Sequence, residues 1–340
     1  MYETRKTSTI RRSAGWLLAV VFALSLCWQQ ALASPAEEKT VIPLGKAVGI
    51  KLFADGVLVV GLTENSDCPA RQCGLREGDI ITAVSGRHIS STEQVQALLQ
   101  TNGGEPLALT VHRGQRTLSM TACPVQNSSG TWQLGAWIRD SMAGIGTLTY
   151  YDPQTASYGA LGHGITDMDT AQLMSLSSGS IMETTVKAVK KGLKGEPGEL
   201  RGDFTVQRDV GTLTANTNGG IFGKVADAGF IDETQAIPVA AAWEVKCGPA
   251  TILATVNGSD TREYQVEILR LYGSDHDTRN LMLKVTDPQL LAATGGIVQG
   301  MSGSPILQNG KFVGAVTHVL IDDPARGYGI FMENMLKMAG

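Results

Sequence analysis

Charged residues are scarce in this 340-residue chain: Asp, Glu, Lys and Arg make up 18% of it, and the formal net charge at pH 7 is −4. Beyond the N-terminus no stripe of Lys and Arg forms, which excludes nucleic acid as the main partner. Prolines number only 12 and the 40 glycines keep no three-residue period, so a collagen-like fibre is excluded as well. The sequence has no Walker-type loop, no dinucleotide fingerprint and no His-Glu-x-x-His, and no cofactor is expected. Cys68 and Cys73 stand five apart with no histidine near them, Cys123 and Cys247 are remote, and no metal site is expected either. Long amphipathic helices are also scarce. What remains is a chain with 43% hydrophobic residues, the balance of a turn-rich, mainly β globular protein, with length for about two domains of roughly 150 residues.

Basic residues do cluster at the start. Arg5, Lys6, Arg11 and Arg12 precede an apolar run over residues 14–28, and Ala31-Leu32-Ala33 follows as a small-x-small cleavage pattern. That layout predicts a secretory signal in residues 1–33, either cleaved or kept as a membrane anchor, with everything after about Ser34 exported. Without the segment the chain loses four basic residues and Glu3, which leaves 24 basic against 31 acidic groups. Cys27 falls in the apolar run. The other four cysteines then lie where disulfides are permitted; three pairings can be drawn, and small buried thiols explain them equally well.

Residues 41–125 read as a separate module. Strand-like runs at 48–52 and 57–62 flank Ala54-Asp55-Gly56, which predicts a hairpin. Ser91 reads as an N-cap with Gln94 three residues on, opening a helix whose Val95, Leu98 and Leu99 share one face; Gly103-Gly104 ends it. Between them, Gly74-Leu75-Arg76-Glu77-Gly78-Asp79-Ile80-Ile81-Thr82-Ala83-Val84-Ser85-Gly86 resembles a PDZ domain of the bacterial protease-associated kind. The resemblance implies a groove that takes an extended peptide as an added strand. It maps the peptide-end loop to residues 44–50 and gives Gly45, Gly49, Ile50, Leu52, Val95 and Leu99 as candidate peptide-binding residues.

From about Gly130 to Gly340 short β-branched runs alternate with glycine turns, which fits a β-sandwich or a pair of β-barrels. Near the end stands Gly300-Met301-Ser302-Gly303-Ser304-Pro305. A serine between glycines sits on a tight turn, where main-chain amides of the Gly300 and Ser302 kind present an oxyanion hole beside the hydroxyl. Serine needs a base to attack at neutral pH. Of the five histidines, His163 lies in a small-residue corner, Gly162-His163-Gly164, that leaves its ring accessible. His318 lies in an apolar strand as a packed histidine, His276 reads as a solvated loop residue, and His88 and His112 belong to the N-terminal module. Candidates for the carboxylate that orients the base are Asp287, at a strand end fifteen residues before Ser302, and Asp167 and Asp169, close behind His163.

The order His163, Asp287, Ser302 and the turn around Ser302 resemble trypsin-like peptidases, which implies a double β-barrel. Three strings, at residues 144–153, 159–165 and 295–305, together resemble the stage IV sporulation protein B peptidases, and His163, Asp287 and Ser302 match that family's triad positions. The resemblance implies an exported serine endopeptidase in the space between two forespore membranes. Its protein substrate would be a membrane-bound regulator of an intramembrane protease, whose cleavage leads to sigma factor activation, and it would also cut itself. The contrasting reading is an exported PDZ scaffold in which the Gly-Ser turn is purely structural.

Overall fold

Two long stretches rich in β-branched and aromatic residues, residues 40–62 and 136–152, pair antiparallel into a ribbon about which the rest of the chain is arranged. The computed structural model describes residues 38–339 apart from 66, 232–234 and 274–277; the predicted export signal and His276 lie outside the described residues. In chain order the strands are β1 (Thr40–Leu62), β2 (Ile80–Val84), β3 (Arg87–His88), β4 (Leu107–Arg113), β5 (Arg116–Ala122), β6 (Val125–Gln126), β7 (Trp132–Gln133), β8 (Ala136–Asp152), β9 (Ser157–Ala160), β10 (Ser178–Lys190), β11 (Glu199–Thr217) and β12 (Gly220–Val225). There follow β13 (Ile237–Pro238), β14 (Gly248–Ala254), β15 (Arg262–Leu271), β16 (Leu281–Val285), β17 (Pro305–Gln308), β18 (Lys311–Leu320) and β19 (Asp323–Phe331). The α-helices are α1 (Pro69–Gln72), α2 (Thr92–Asn102), α3 (Pro288–Thr294) and α4 (Met332–Lys337).

Outside the N-terminal module the chain forms two barrels. In the first, pairing of β10 with β1 closes the ring β1-β8-β9-β12-β11-β10; the second runs β14-β15-β16-β19-β18-β17 and is closed by β14 against β17. Each has its own core. Val48, Leu52, Leu148, Tyr158, Ile181 and Ile221 fill the first, and Ile252, Leu281, Leu283, Val285, Ile306 and Val316 the second. Burying one such aliphatic side chain is worth about 2 kcal/mol, so Leu52→Ala, which also leaves a cavity, should cost about 2–5 kcal/mol.

The PDZ module builds on the far part of the same ribbon, with β2, β4 and β5 added in order beyond β1. Its glycine-rich motif folds around Asp79, which is fully buried and salt-bridged to Arg113 at 2.7 Å, while the Arg76 amide donates to the same carboxylate at 2.9 Å. Ser91 caps α2 by accepting from the Gln94 amide, and Gly103 ends it in the left-handed conformation, as predicted. The four cysteines of the described part are free thiols, Cys68 buried and Cys123 and Cys247 exposed.

Three sequence expectations are corrected here. The hairpin at Ala54-Asp55-Gly56 does not form: β1 runs straight through, with a register shift between Phe53 and Leu58, and the left-handed Gly56 (φ 105°) serves a bulge. Turn chemistry was present, but residues 48–52 and 57–62 find better partners in β8, β10 and β2 than in each other. For the same reason Gly45, Gly49, Ile50 and Leu52 line no peptide groove. Gly49, Ile50 and Leu52 lie in the first barrel, where a Cβ on Gly49 would meet Thr184 Oγ1 at 3.0 Å, and Gly45 (φ 67°) sits against Leu253 of β14 in the second barrel. The domain boundaries at 41–125 and 130–340 are crossed in both directions, since residues 40–53 are a barrel strand and residues 132–138 pack into the PDZ core.

Candidate active site

Thr147 on β8 organises the site. Its amide donates to the Ser302 carbonyl at 3.1 Å, its hydroxyl donates to the Gly300 carbonyl at 2.7 Å, and its own carbonyl accepts from the Leu161 amide at 3.1 Å. One buried residue of the first barrel thus grips both the serine turn and the corner that leads into His163.

The serine turn depends on two left-handed glycines, Gly300 (φ 97°) and Gly303 (φ 96°). A side chain on Gly303 is excluded twice over, because its Cβ would also lie 2.6 Å from the Leu161 nitrogen. The Gly303 amide donates to the Val316 carbonyl at 2.7 Å, which fastens the turn to β18 of the second barrel. Ser304 is fully buried and its hydroxyl has no partner among the described residues, whereas Ser302 is partly exposed and donates to the Thr317 carbonyl at 2.9 Å. The Met301 amide is used up on Val298, but those of Gly300 and Ser302 donate to no group among the described residues. They are free for a ligand oxygen, the chemistry an oxyanion hole needs.

The chain reaches His163 through Leu161 (φ 70°) and Gly162 (φ 69°) after β9. A Cβ on Gly162 would touch Thr317 at 3.0 Å, so the corner passes directly against the strand that holds Ser302. His163 Nδ1 donates to the Gly164 carbonyl at 2.9 Å, which leaves Nε2 with the lone pair. Burial pulls this imidazole below its ordinary value, the Gly164 bond acting in the opposite sense, so it is a neutral base near pH 7. His318 lies beside it, ring centroids 5.3 Å apart, with its Nδ1 buried and unpartnered among the described residues. The sequence reading took His318 for a packed core residue. Thr147, Thr317 and His318 escape a motif search because each is placed by strand pairing and meets the site through main-chain atoms, a hydroxyl or a ring that no local pattern marks.

Asp287 is not brought to His163. It is the N-cap of α3, with Oδ1 accepting from the Gln289 and Leu290 amides at 2.8 and 3.0 Å and Oδ2 from the Gln265 amide at 3.3 Å. Strand geometry explains the separation. Asn280, at the other end of β16, bonds Gly329, whose β18 partner Val316 adjoins Thr317; the seven residues from there to Asp287 span roughly 20 Å. The orienting group that His163 has is the Gly164 carbonyl. Asp167 and Asp169 do not reach the imidazole through a hydrogen bond either; both pair with Arg139.

On the module side, Val95 and Leu99 line a groove of about 430 Å³ whose facing wall is residues 131–138, with Trp132, Leu134 and Ile138, and not 44–52. Gln100 closes one end by bonding both the amide and the carbonyl of Trp132.

Residues 130–336 match the family model of the SpoIVB peptidase S55, and residues 63–113 match a PDZ domain. Among curated proteins, the chain is 40% identical over 70 residues to the putative serine protease HhoB of Synechocystis, covering 20% of this chain and 16% of that one. It is 32% identical over 77 residues to a putative zinc metalloprotease of Clostridium perfringens, covering 23% and 22% respectively. The chain therefore spans about a fifth of the length of the curated relatives it matches. Among solved structures, the Rv3671c protease of M. tuberculosis in its active form is similar at 16% identity over 58% of this chain and 72% of that one, with a TM-score of 0.33. The PDZ domain of an SdrC-like protein of Listeria monocytogenes aligns at 22% identity over 25% of this chain and 87% of its own, with a TM-score of 0.23. At those scores they add nothing to the two barrels and the module described above. The family match spans most of the chain and includes the serine turn and the His163 corner, and the protein belongs to the SpoIVB peptidase S55 family, with a PDZ domain ahead of the matched region.

Proposed function

We propose that the chain is an exported endopeptidase in which Ser302 attacks a peptide carbonyl with His163 as general base. The observation that carries this reading is the pairing of a glycine-flanked serine, whose turn leaves the Gly300 and Ser302 amides free, with an imidazole tied at Nδ1 and open at Nε2 in the adjoining corner. On attack, the Ser302 hydroxyl leaves the Thr317 carbonyl and passes its proton to His163 Nε2 while the new C–O bond forms. The carbonyl oxygen becomes an oxyanion held by the two amides. His163 returns the proton to the leaving amine, and water, deprotonated by the same nitrogen, hydrolyses the acyl-enzyme and frees the serine.

The substrate is a protein, and the groove between α2 and residues 131–138 docks an extended stretch of it away from the bond that breaks. Family membership supports a place in sporulation: cleavage of a membrane-bound regulator of an intramembrane protease between the two forespore membranes, upstream of sigma factor activation, with self-cleavage of the N-terminal region and residues 1–33 as signal or anchor. A fluorophosphonate probe tests the chemistry. Labelling confined to Ser302 and lost in His163→Ala protein is expected; an unlabelled wild-type protein would favour the non-catalytic scaffold.

A further inference from the structure

Arg139 and Asp140 are neighbours on β8, so their side chains leave opposite faces of the strand. Asp140 reaches into the PDZ module, where its carboxylate accepts from the Thr92 amide at 2.8 Å and the Thr92 hydroxyl at 3.2 Å, at the first residue of the groove helix α2. Arg139 reaches the other way, to the loop that follows His163. There it bonds Asp167 directly and Asp169 at 3.1 Å.

Asp167 is fully buried and organises that loop. Its second oxygen accepts from the amides of Asp169 and Thr170, at 3.0 and 2.9 Å, and from the Thr170 hydroxyl at 3.0 Å. Burial by itself would raise this carboxyl, but the Thr170 bonds and Arg139 outweigh it and hold it below the ordinary range, so the buried group is charged. On its other side the loop is fixed by Asn216, whose side chain bonds Ile165 and Met174 in three places, and by Asn218, whose carbonyl accepts from the Gly164 amide at 3.2 Å. The His163 ring, whose one hydrogen bond among the described residues goes to the Gly164 carbonyl, therefore takes its position from a loop clamped between β11 and Arg139.

We propose that Arg139 and Asp167 are positioning residues for the catalytic base, and that Asp140 extends the tie to α2, so that the PDZ module holds the peptidase site in its working geometry. The inference rests on the reading of His163 as the base of Ser302. Without Arg139 a buried carboxylate four residues from His163 loses its cation, and the loop has to rearrange to bring it to water.

The test uses the full chain. Arg139→Gln and Asp167→Asn should each slow fluorophosphonate labelling of Ser302 and lower kcat on a short peptide by on the order of 100-fold, with KM little changed, because a small misplacement of the base acts on chemistry and not on binding. The double variant should stay within about threefold of the worse single, since both changes break one contact. Arg139→Lys should recover part of the rate, and Asp140→Ala should cost about tenfold although it touches neither His163 nor Ser302. Should Arg139→Gln fail to fold, the double variant, which buries no lone charge, carries the same measurement. Wild-type labelling rates in Arg139→Gln or in the double variant, or single losses that multiply in the double, would overturn the proposal. Wild-type protein that never labels at Ser302 would instead remove the base assignment on which it stands.

Discussion

The Ser302 hydroxyl donates to the Thr317 carbonyl oxygen at 2.9 Å, and Thr317 is followed in the chain by His318, whose ring packs against that of His163. The Ser302 hydroxyl proton is thus parked on β18, one residue from the ring that packs against His163. Ser302→Ala should abolish cleavage, by on the order of 10⁴-fold or more, with the folded content unchanged in circular dichroism. Ser304→Ala, which deletes a buried hydroxyl without a partner among the described residues, should leave turnover within a few-fold and the melting temperature unchanged or raised.

Asp287 offers a sharp contrast between cap and catalyst. Asparagine caps a helix about as well as aspartate, so Asp287→Asn should keep most activity, whereas Asp287→Ala should cost about 1 kcal/mol of stability. If the asparagine variant instead loses roughly 10⁴-fold in kcat with its melting temperature intact, a triad with Asp287 forms in a state other than the one described here.

The acid side of the pH profile is set by two depressed imidazoles. Burial draws His163 below 6.5, and burial, then His163 and Arg279, bring His318 down to about 4. Both are more than half neutral at pH 6.5, so kcat/KM should fall as the pH drops through the lowered His163 value. Unfolding restores ordinary proton affinity, so between pH 6.5 and about 4 the unfolded chain binds more protons and stability should decline as acid is added. An acid limb centred above 6.5 would contradict this.

Thr147→Val keeps the shape of the side chain but removes the donor to the Gly300 carbonyl. An unsatisfied buried carbonyl costs about 1–3 kcal/mol, and here it belongs to the oxyanion turn. Thermal melting should show the destabilisation, and peptide turnover should fall with it.

A chain that starts at Asn127 retains His163 and Ser302 yet lacks β1, the strand that closes the first barrel between β8 and β10. It should fail to fold and should lose activity on short peptides and on protein targets alike. A folded, active product would mean that the first barrel closes without β1.

The serine turn, the His163 corner and the PDZ motif were legible because each is written in glycine chemistry that acts over a few residues: left-handed Gly300 and Gly303, the buried Asp79 turn, the Ser91 cap. Asp287 misled because spacing to Ser302 says nothing about which end of β16 the residue occupies. Ala54-Asp55-Gly56 misled because one dihedral preference serves a hairpin or a bulge, and the choice is made by strands β8 and β10, far along the chain. The contact between Arg139 and Asp167 leaves no local trace at all.

The pairing of Leu62 with Ala136, reinforced by the Thr63 amide on the Gly135 carbonyl at 2.9 Å, means that residues 63–135 leave the ribbon and return to it at the same point. Seen from the barrels, the PDZ module is a guest inserted at the tip of a hairpin, and its two ends are already a turn's width apart. Joining Leu62 to Ala136 through a two-residue Asn-Gly turn should therefore give the barrels a continuous host, where cutting the chain at Asn127 does not. It would also turn the ribbon's 73-residue loop closure, residues 63–135, into a local one, and a chain so shortened should fold faster than its parent.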